Sequence, residues 1–222
     1  MKISNIWAVI PAYNEERHVV RIIKKTKKFI EKVVVVDDGS KDNTKKVAEK
    51  AGAIVLRHIV NLGKGAALKT GCDFALGNDA RYIIAIDADA QHKPEDIPRF
   101  IEKLKKYDIV FGYRKLSAKM PFVLRLGNLF ISYVTTILYG INLNDTQCGF
   151  RAFSREAYRK IRWNASDYAM ESEMIAKAGK QRLKYVQIPI ETIYSDKYKG
   201  TTVMDGMKIV FNMVWWRILN NR

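Results

Sequence analysis

Two carboxylates, Asp87 and Asp89, directly follow an apolar, β-forming run at residues 82–86, and this arrangement most constrains the fold of the chain. Such a run is typical of a buried strand. In α/β proteins, ligands bind at the carboxyl ends of parallel strands, and hard oxygen ligands there favour Mg²⁺ or Mn²⁺ on a diphosphate. Gln91 lies two residues further on and offers another side-chain oxygen. Because a lone Asp-x-Asp is more often a polar turn, the interpretation depends on three further loops.

The first of these loops follows a predicted strand at residues 6–10 and begins at Pro11, which ends the strand. Tyr13 offers a ring that could stack on a nucleotide base. Glu15 could accept hydrogen bonds from a base or a ribose. Taken alone, each loop is more simply explained as turn chemistry, but four such loops at successive strand ends favour a binding site.

The second and third loops follow predicted strands at residues 33–36 and 53–57. Asp37 and Asp38 leave the second strand, where a carboxylate commonly binds ribose hydroxyls or base N–H groups. Lys64 lies between two glycines just before a predicted helix. The backbone N–H groups of such a helix start, together with a cation, favour an anion. The spacing is not that of a Walker loop, in which GK[ST] follows the first glycine after four residues.

The alternation of strands and helices up to about residue 112 predicts an α/β fold with a mostly parallel central sheet flanked by helices. The predicted helices are residues 14–30, 43–51, 63–76, 94–105, 121–139 and 169–178, and the later predicted strands are residues 108–111 and 185–190. Asn14 is expected to cap the first helix. The chain of 222 residues favours a single domain, 1–222, with a nucleotide-binding half at 1–112 and an acceptor- and membrane-facing half at 113–222.

The net charge of +16 favours anionic partners such as phosphorylated substrates, anionic lipid or nucleic acid. A lysine-rich solvated surface explains the same charge, so charge alone does not decide. Cys72 and Cys148 lie outside any metal-binding spacing, and Cys72 is expected in the core. No signal peptide and no run of about 18 apolar residues is visible. We therefore expect a cytoplasmic protein.

Two apolar stretches, residues 122–141 and 207–219, predict peripheral contact with the cytoplasmic face of a membrane. The second stretch contains Trp215 and Trp216 and is bounded by basic residues, which is typical of an amphipathic helix in the headgroup layer. The alternative is that these helices pack on the sheet, and for at least one of them the alternative is favoured.

In their order along the chain, these motifs resemble those of the family 2 glycosyltransferases. The matching strings are PAYNEE, VVVVDDGSKDNT, NLGKGAALKTG, IDADAQHKPED, DTQCGFRAF and PIETIYSDKYKGTT, with Glu173 in a helical context. Within the family, the chain is most similar to the polyprenyl-phosphate hexosyltransferases of the dolichol-phosphate mannose synthase type. The resemblance implies a nucleotide-sugar-binding fold of the GT-A type.

The resemblance also implies a role for individual residues. The nucleotide would be held by Pro11, Tyr13, Glu15, Asp37 and Asp38, with Lys64 beside them, and Mg²⁺ or Mn²⁺ would be held by Asp87, Asp89 and Gln91. The catalytic set would be Asp89, Arg114, Arg125 and Lys197.

Arg114 and Arg125 match family positions that would neutralise the phosphate of the acceptor. Lys197 stands where the family has an arginine, a change that keeps the charge but loses the bidentate fork. Asp145 is family-like, and a purely structural interpretation has it capping a turn and pairing with Arg151.

The sequence therefore predicts a metal-dependent, inverting glycosyltransferase. The donor would be GDP-mannose or UDP-glucose, and the acceptor dolichyl or another polyprenyl phosphate. One alternative is a family 2 enzyme with a soluble or glycan acceptor. A second is a sugar-phosphate nucleotidyltransferase, which should have a glycine-rich basic loop where this chain has the acidic PAYNEE. A third is a nucleic-acid-binding protein, which the acidic strand ends disfavour, so we expect no nucleic-acid partner.

Overall fold

The computed structural model describes residues 5–114, 122–191, 210–215 and 217. The strands are β1 (Ile6–Ala12), β2 (Lys32–Asp37), β3 (Ile54–Arg57), β4 (Tyr82–Ala85), β5 (Ile109–Arg114), β6 (Arg151–Ser154) and β7 (Tyr185–Ile190). The helices are α1 (Val19–Thr26), α2 (Thr44–Lys50), α3 (Lys64–Gly77), α4 (Ile97–Lys103), α5 (Phe122–Tyr139), α6 (Arg155–Ile161) and α7 (Ala169–Lys180), and a 3₁₀ turn (Pro94–Asp96) precedes α4.

The strands form one seven-stranded sheet in the order β3-β2-β1-β4-β6-β5-β7. Strand β6 runs antiparallel to both of its neighbours, and the other pairs are parallel. The prediction of a mostly parallel sheet flanked by helices is thus confirmed. Because β1 to β4 are parallel, their carboxyl ends lie at one edge, and the loops of that edge build the site.

Helices cover both faces of the sheet, as strand β2 illustrates. Its interior valines are all buried, and alternate side chains enter different cores. Val34 and Val36 pack with residues of α3, α6 and α7, whereas Val33 and Val35 pack with residues of α1, α2 and α4. A strand buried on both faces carries a continuous apolar run instead of an alternating one. Cys72 lies in the first of these cores, as predicted.

The first helix begins later than the sequence predicts, so the assignment of Asn14 as its cap is wrong. Helix α1 starts after His18 and ends at Thr26. Asn14 has a φ of +54° and belongs to a turn. Its backbone N–H donates to Ser40 Oγ at 2.9 Å, and its side-chain oxygen accepts the N–H of Lys41 at 2.8 Å. The loop after β2 therefore fixes the loop after β1, which a local capping rule does not anticipate.

Helix α6 was not predicted. It follows β6 directly, and Ser154 is its N-cap, with Oγ accepting the backbone N–H of Ala157 at 3.1 Å. Glu156 lies in the first turn, where its charge complements the helix dipole. Both are local start signals, but the helix is only seven residues long, and its buried face packs into the core beside α7.

The helical residues 210–215 pack against α5. The hydroxyl of Tyr139 donates to the carbonyl of Met213 at 2.6 Å, and Met213 is fully buried in an apolar cluster with Ile131. Phe211 and Trp215 face outward, with exposed fractions of 67% and 50%. Trp216 lies outside the described residues. Across the part of the chain that is described, the helices are too short or too polar to span a bilayer.

Candidate active site

A cavity of about 500 Å³ opens where the loops after β1, β2, β3 and β4 meet. It is lined by Pro11, Ala12, Tyr13, Asn14, Glu15, Asp38, Asn61, Gly63, Lys64, Ala67, Asp87, Ala88, Asp89, Asp167 and Tyr168. Seven of the residues proposed from the sequence are among them, namely Pro11, Tyr13, Glu15, Asp38, Lys64, Asp87 and Asp89. Residues from all four loops therefore share one space, which we call the donor cavity.

The loop after β1 presents an exposed ring and a fixed carboxylate. Tyr13 is 41% exposed and forms part of the cavity wall. Glu15 is buried, and its Oε2 lies 2.8 Å from His18 Nδ1. Its backbone N–H donates to Thr44 Oγ1 at 2.8 Å. Glu15 is thus oriented from two sides, and Tyr13 offers an apolar face at the cavity wall.

Asp38 is a buried carboxylate with several protein partners. Its Oδ1 accepts the backbone N–H of Leu62 at 2.9 Å and lies 2.7 Å from His58 Nδ1. Its Oδ2 accepts the backbone N–H of Gly63 at 2.8 Å. An ionised carboxylate has about four lone-pair sites, so about one of them is left for a ligand. Asp38 therefore fixes the loop after β3 by hydrogen bonds and also faces the cavity.

Asp37 does not belong to the cavity lining. Its Oδ1 accepts the backbone N–H of Ser40 at 3.0 Å, and its Oδ2 lies 3.3 Å from Arg57 Nε. The side chain is 1% exposed. The structure therefore places Asp37 at the end of β2 and beside the neighbouring strand β3, outside the cavity lining.

The glycines around Lys64 allow a close approach of protein backbone. A Cβ at Gly63 would lie 2.4 Å from the carbonyl oxygen of Ser166, and one at Gly65 would lie 2.5 Å from that of Ala165. Gly63 also has a φ of +99°, a backbone conformation that residues other than glycine rarely adopt. Residues 165–167 thus lie tightly against the start of α3 and complete the cavity wall there.

Lys64 joins the metal motif to a carboxylate that sequence reasoning missed. Its Nζ lies 2.9 Å from Asp87 Oδ1, 3.1 Å from Glu171 Oε1 and 5.7 Å from the centre of the Tyr168 ring. Burial alone would lower the pKa of Lys64, but the charges of Asp87 and Glu171 raise it above its usual range. Lys64 is therefore a partly buried, charged ammonium group between two carboxylates, with 19% of its side chain exposed.

Asp87 and Asp89 differ in their electrostatic environment. Burial opposes the ionisation of Asp87, but Lys64 and His92, whose Nε2 lies 3.4 Å from Oδ2, hold its pKa well below the usual range. Burial and then the charge of Asp87 raise the pKa of Asp89. Asp89 Oδ1 accepts the backbone N–H of Gln91 at 3.0 Å, whereas the side chain of Gln91 is not part of the lining. Asp89 thus has less compensating positive charge than Asp87.

The side chains of the donor cavity suit Mg²⁺ or Mn²⁺ bound together with a substrate phosphate. They suit less well a metal whose ligands all come from the protein. No group of three or more His, Cys, Asp or Glu side chains able to hold a metal occurs within the described ranges. Mg²⁺ commonly keeps several waters and binds through one or two carboxylates plus the phosphates of its substrate. Asp87 and Asp89 offer two carboxylates at one cavity, and a divalent cation would compensate the charge of Asp89. The residues therefore fit such an ion.

Three residues of the site, His92, Tyr168 and Glu171, were not predicted from the sequence. His92 directly follows the metal motif, so its position in the sequence was a usable signal. Glu171 and Tyr168 lie at the start of α7, far along the chain, and no local pattern links them to Lys64. Glu173, which was singled out from the sequence, instead accepts the backbone N–H groups of Asn164 and Ala165 and orders the segment before α7.

A second cavity, of about 530 Å³, lies between the end of β5 and α5. It is lined by Tyr113, Arg114, Leu129, Ser132, Tyr133, Thr136, Asn142, Leu143 and Asn144. We call it the Arg114 cavity. Arg114 binds Asp145 with two nitrogens, at 2.6 Å from Nε to Oδ2 and 3.1 Å from Nη2 to Oδ1. Burial opposes the charge of Asp145, but Arg114 lowers the pKa of that carboxyl.

The pairing of Asp145 with Arg151 that the sequence suggested is therefore wrong. Arg151 is 1% exposed, and its guanidinium donates to three carbonyl oxygens, those of Cys148, Glu171 and Thr146, at 2.8, 3.1 and 2.7 Å. Arg114 lies on β5, the strand that pairs with the β6 strand of Arg151, and its side chain binds Asp145. The fold therefore pairs the carboxylate of Asp145 with Arg114 on β5 and not with Arg151 on β6.

Two predicted catalytic residues are not described. Arg125 lies in α5, but its side chain is outside what the structure describes. Lys197 falls between residue 191 and residue 210, also outside the described residues. Their roles stay predictions.

Comparison with known proteins adds a family and several relatives. The sequence profile described as glycosyl transferase family 2 matches residues 7–162. An uncharacterized protein of Methanocaldococcus jannaschii is 40% identical over 226 residues, covering 97% of this chain and 93% of the relative. A UDP-N-acetylglucosamine–dolichyl-phosphate N-acetylglucosaminyltransferase of Methanococcus voltae is 33% identical over 239 residues and covers 94% of each chain.

A crystal structure of glucosyl-3-phosphoglycerate synthase from Mycobacterium tuberculosis with Mn²⁺ and UDP-glucose has the same fold. Its TM-score is 0.74 at 18% identity, covering 96% of this chain and 78% of the other. At this identity the likeness concerns the fold alone.

Proposed function

The chain belongs to glycosyltransferase family 2, and we propose that it transfers a hexose from a nucleotide diphosphate sugar to a dolichyl-type polyprenyl phosphate. The observation that carries the proposal is the donor cavity. It combines an aromatic ring, two carboxylates suited to a divalent cation and a charged lysine. The Methanococcus voltae relative, named for transfer to dolichyl phosphate, supports the acceptor. Family membership sets aside the nucleotidyltransferase alternative.

Each part of the donor cavity has a role in this proposal. Tyr13 stacks on the base, and Asp38 accepts one hydrogen bond from the nucleotide with its remaining lone pair. Asp87 and Asp89 would hold Mg²⁺ or Mn²⁺, which would stabilise negative charge on the departing diphosphate. Lys64, held between Asp87 and Glu171, supplies a permanent positive charge beside the same phosphates.

The acceptor phosphate is assigned to the Arg114 cavity. Arg114 is the charged residue among the described lining residues, which otherwise are apolar, aromatic, hydroxyl or amide side chains. Asp145 fixes the plane of the guanidinium, which orients it towards one phosphate. Leu129 and Tyr133 form part of the wall and are 47% and 65% exposed. A single phosphate on an apolar chain matches this lining better than a soluble acceptor with several charges.

One segment connects the two cavities. Asp145 binds Arg114 at one end of residues 145–149, and Gly149 touches the carboxylate of Asp87 at the other. Five extended residues span at most about 17 Å, so the two cavities are within reach of one sugar phosphate and its acceptor.

The proposed reaction is a single displacement. An oxygen of the acceptor phosphate forms a bond to the anomeric carbon, and the bond from that carbon to the diphosphate oxygen breaks. The electron pair leaves with the nucleoside diphosphate. Because the nucleophile attacks the face opposite the leaving group, the anomeric configuration inverts. The acceptor phosphate is already anionic at neutral pH, so the reaction needs no strong general base, and Arg114 contributes by positioning the nucleophile.

Contact with a membrane belongs to the same proposal, because the acceptor is a lipid. Phe211 and Trp215 present an exposed aromatic pair, stacked with ring centres 6.2 Å apart. Aromatic rings with nearby basic groups favour the headgroup layer. We place this contact at the cytoplasmic face.

The test is direct transfer by the purified protein. UDP-glucose, UDP-N-acetylglucosamine and GDP-mannose are each incubated with a short polyprenyl phosphate and Mg²⁺ or Mn²⁺, and lipid-linked sugar is measured by mass spectrometry. One donor should give a lipid-linked product that disappears with EDTA and in Asp89→Ala. Transfer to a soluble phosphorylated acceptor, with none to the lipid, would replace the lipid assignment by the soluble-acceptor alternative. If the protein neither hydrolyses nor transfers the sugar of any of the three donors, the glycosyltransferase proposal for this site is contradicted.

A further inference from the structure

His58 is a nearly buried histidine with a partner on each ring nitrogen. It directly follows β3, and its backbone N–H continues the strand pairing by donating to the carbonyl of Asp37 at 2.9 Å. Its side chain is 11% exposed. Nδ1 lies 2.7 Å from Asp38 Oδ1, and Nε2 lies 3.0 Å from the hydroxyl of Thr70 in α3. The carboxylate can only accept, so Nδ1 carries the hydrogen of that bond.

This ring holds one oxygen of a carboxylate whose other contacts shape the β3 loop. Asp38 also accepts the backbone N–H groups of Leu62 and Gly63. The loop lies so close to the end of β2 that a Cβ at Gly39 would be 2.5 Å from the carbonyl carbon of Val60. Loop and strand end therefore behave as one unit, with the carboxylate of Asp38 at its centre.

We propose that His58 is a positioning residue for nucleotide binding, acting through Asp38. This inference rests on the proposed function of the donor cavity. Asp38, Asn61, Gly63 and Lys64 line that cavity, whereas His58 is not among its lining residues. His58 therefore reaches a bound nucleotide only through Asp38 and the loop that Asp38 holds.

The physical reason is the rotation of the carboxylate. About three of the four lone-pair sites of Asp38 are used by protein donors, and the bond from His58 selects which one remains for the ligand. Thr70 holds the far side of the ring, so the imidazole cannot swing away without losing a second hydrogen bond. Without His58, the carboxylate rotates more freely and the remaining acceptor no longer has a fixed direction. Nucleotide affinity falls, whereas the chemistry at Asp87 and Asp89 is untouched.

The experiment compares three variants with the wild-type protein. His58→Phe removes both ring contacts, and His58→Asn keeps an amide N–H close to the position of Nδ1. Thr70→Val removes the partner of Nε2. For each we measure kcat, the KM of the nucleotide sugar and of the lipid acceptor, the Kd of UDP and GDP by calorimetry, and the Tm. Tyr158→Phe, which loses a hydrogen bond to Asp73 away from the cavity, is the control for simple destabilisation.

His58→Phe should raise the nucleotide-sugar KM and the Kd about tenfold, the size expected for one charge-assisted hydrogen bond. The acceptor KM and kcat should stay within about twofold, because uniform binding and not the transition state is affected. His58→Asn should recover most of the affinity, and Thr70→Val should show a smaller loss in the same direction. Tyr158→Phe should lower the Tm and leave the nucleotide KM unchanged.

Unchanged Kd and KM in His58→Phe would overturn the inference. A fall in kcat that parallels the fall in Tm, with no rescue by His58→Asn, would overturn it as well, because this is the pattern of a purely structural residue. If His58→Phe does not fold, His58→Asn and Thr70→Val decide by the same KM and Kd criteria. Failure of the wild-type protein to bind any nucleotide would instead contradict the proposed function itself, a result distinct from any variant effect.

Discussion

Gly149 lies directly against the carboxylate of Asp87, where a Cβ on residue 149 would be 2.3 Å from Oδ2 and 2.6 Å from Oδ1. The contact arises because β6 pairs antiparallel with β4, so the residues before β6 lie beside those after β4. The carboxylate of Asp87 thus fills the space that a side chain at residue 149 would need. Any residue larger than glycine at this position would displace Asp87.

Gly149→Ala should lower kcat about 100-fold while the protein still folds. The added methyl group must move Asp87 or its own backbone, and a shift of about 1 Å in a catalytic group can cost about 100-fold in rate. Gly77→Ala, where an added Cβ meets nothing within 4 Å, is the matched control and should keep full activity. Comparison of kcat and Tm for the two variants tests this, and wild-type kcat in Gly149→Ala would mean that the exact position of Asp87 is unimportant.

Asp89→Ala should remove Mg²⁺- or Mn²⁺-dependent transfer and cost little stability. Burial and the charge of Asp87 already disfavour the ionised form of Asp89, so its removal relieves repulsion. Metal titrations of the transfer rate, with circular dichroism as the check on folding, measure the effect. Glu102→Ala is the control, because Glu102 is an exposed carboxylate on α4. A folded Asp89→Ala protein with full metal-dependent activity would remove the metal assignment.

Asp38→Ala should lower both nucleotide affinity and the free energy of unfolding. The substitution leaves the N–H groups of Leu62 and Gly63 without their acceptor, and each such loss costs about 1–3 kcal/mol. We expect a total of about 2–6 kcal/mol in urea unfolding, together with weaker nucleotide binding by calorimetry. A loss of affinity with unchanged stability would mean that the three contacts of Asp38 contribute little to the fold.

Arg114→Ala should be destabilising because it leaves Asp145, which is 2% exposed, without its cation. Breaking a buried ion pair in this way costs about 3–5 kcal/mol. Adding Asp145→Asn should recover part of this loss in urea unfolding, since the buried charge is then absent. Recovery of stability without recovery of the acceptor KM would separate the proposed acceptor role of Arg114 from its role in the pair.

The same pair should give the wild-type protein a dependence of stability on pH. Burial opposes ionisation of Asp145, but Arg114 lowers its pKa below the unfolded value of about 4. A lowered pKa contributes stability above the unfolded value, and this contribution is lost as the pH falls through the lowered pKa. Urea unfolding between pH 7 and about pH 2 should show a smaller acid-induced loss in the Arg114→Ala, Asp145→Asn double variant than in the wild type.

Replacing Phe211 and Trp215 together with alanine should weaken binding to vesicles of phosphatidylglycerol and phosphatidylcholine about tenfold, because two exposed rings lose their contact with lipid. Wild-type binding should also fall in high salt, since the charge of +16 favours the anionic surface. Phe29→Ala, an exposed aromatic residue after α1, is the control. Normal co-sedimentation of the double variant would place the membrane contact elsewhere on the protein.

Much of the architecture was predictable because its signals are local. The uninterrupted valines of β2 indicate a strand covered on both faces, and the strand–helix alternation up to residue 112 indicates a parallel sheet. Parallel strands place their carboxyl ends at one edge, so the convergence of Tyr13, Asp38, Lys64 and Asp87 on one cavity follows from the order of the loops. Helix ends were less predictable, since Asn14 adopts its turn through contacts with the loop after β2.

The sequence alone therefore determined the fold class, the family and the loops that carry polar side chains. Only the tertiary structure decided which charges pair. Lys64 meets Glu171, and Asp145 meets Arg114 instead of Arg151. The physical reason is that strand formation depends on burial over a few neighbouring residues. An ion pair between elements far apart in the chain depends on strand order and packing, which no short stretch of sequence encodes.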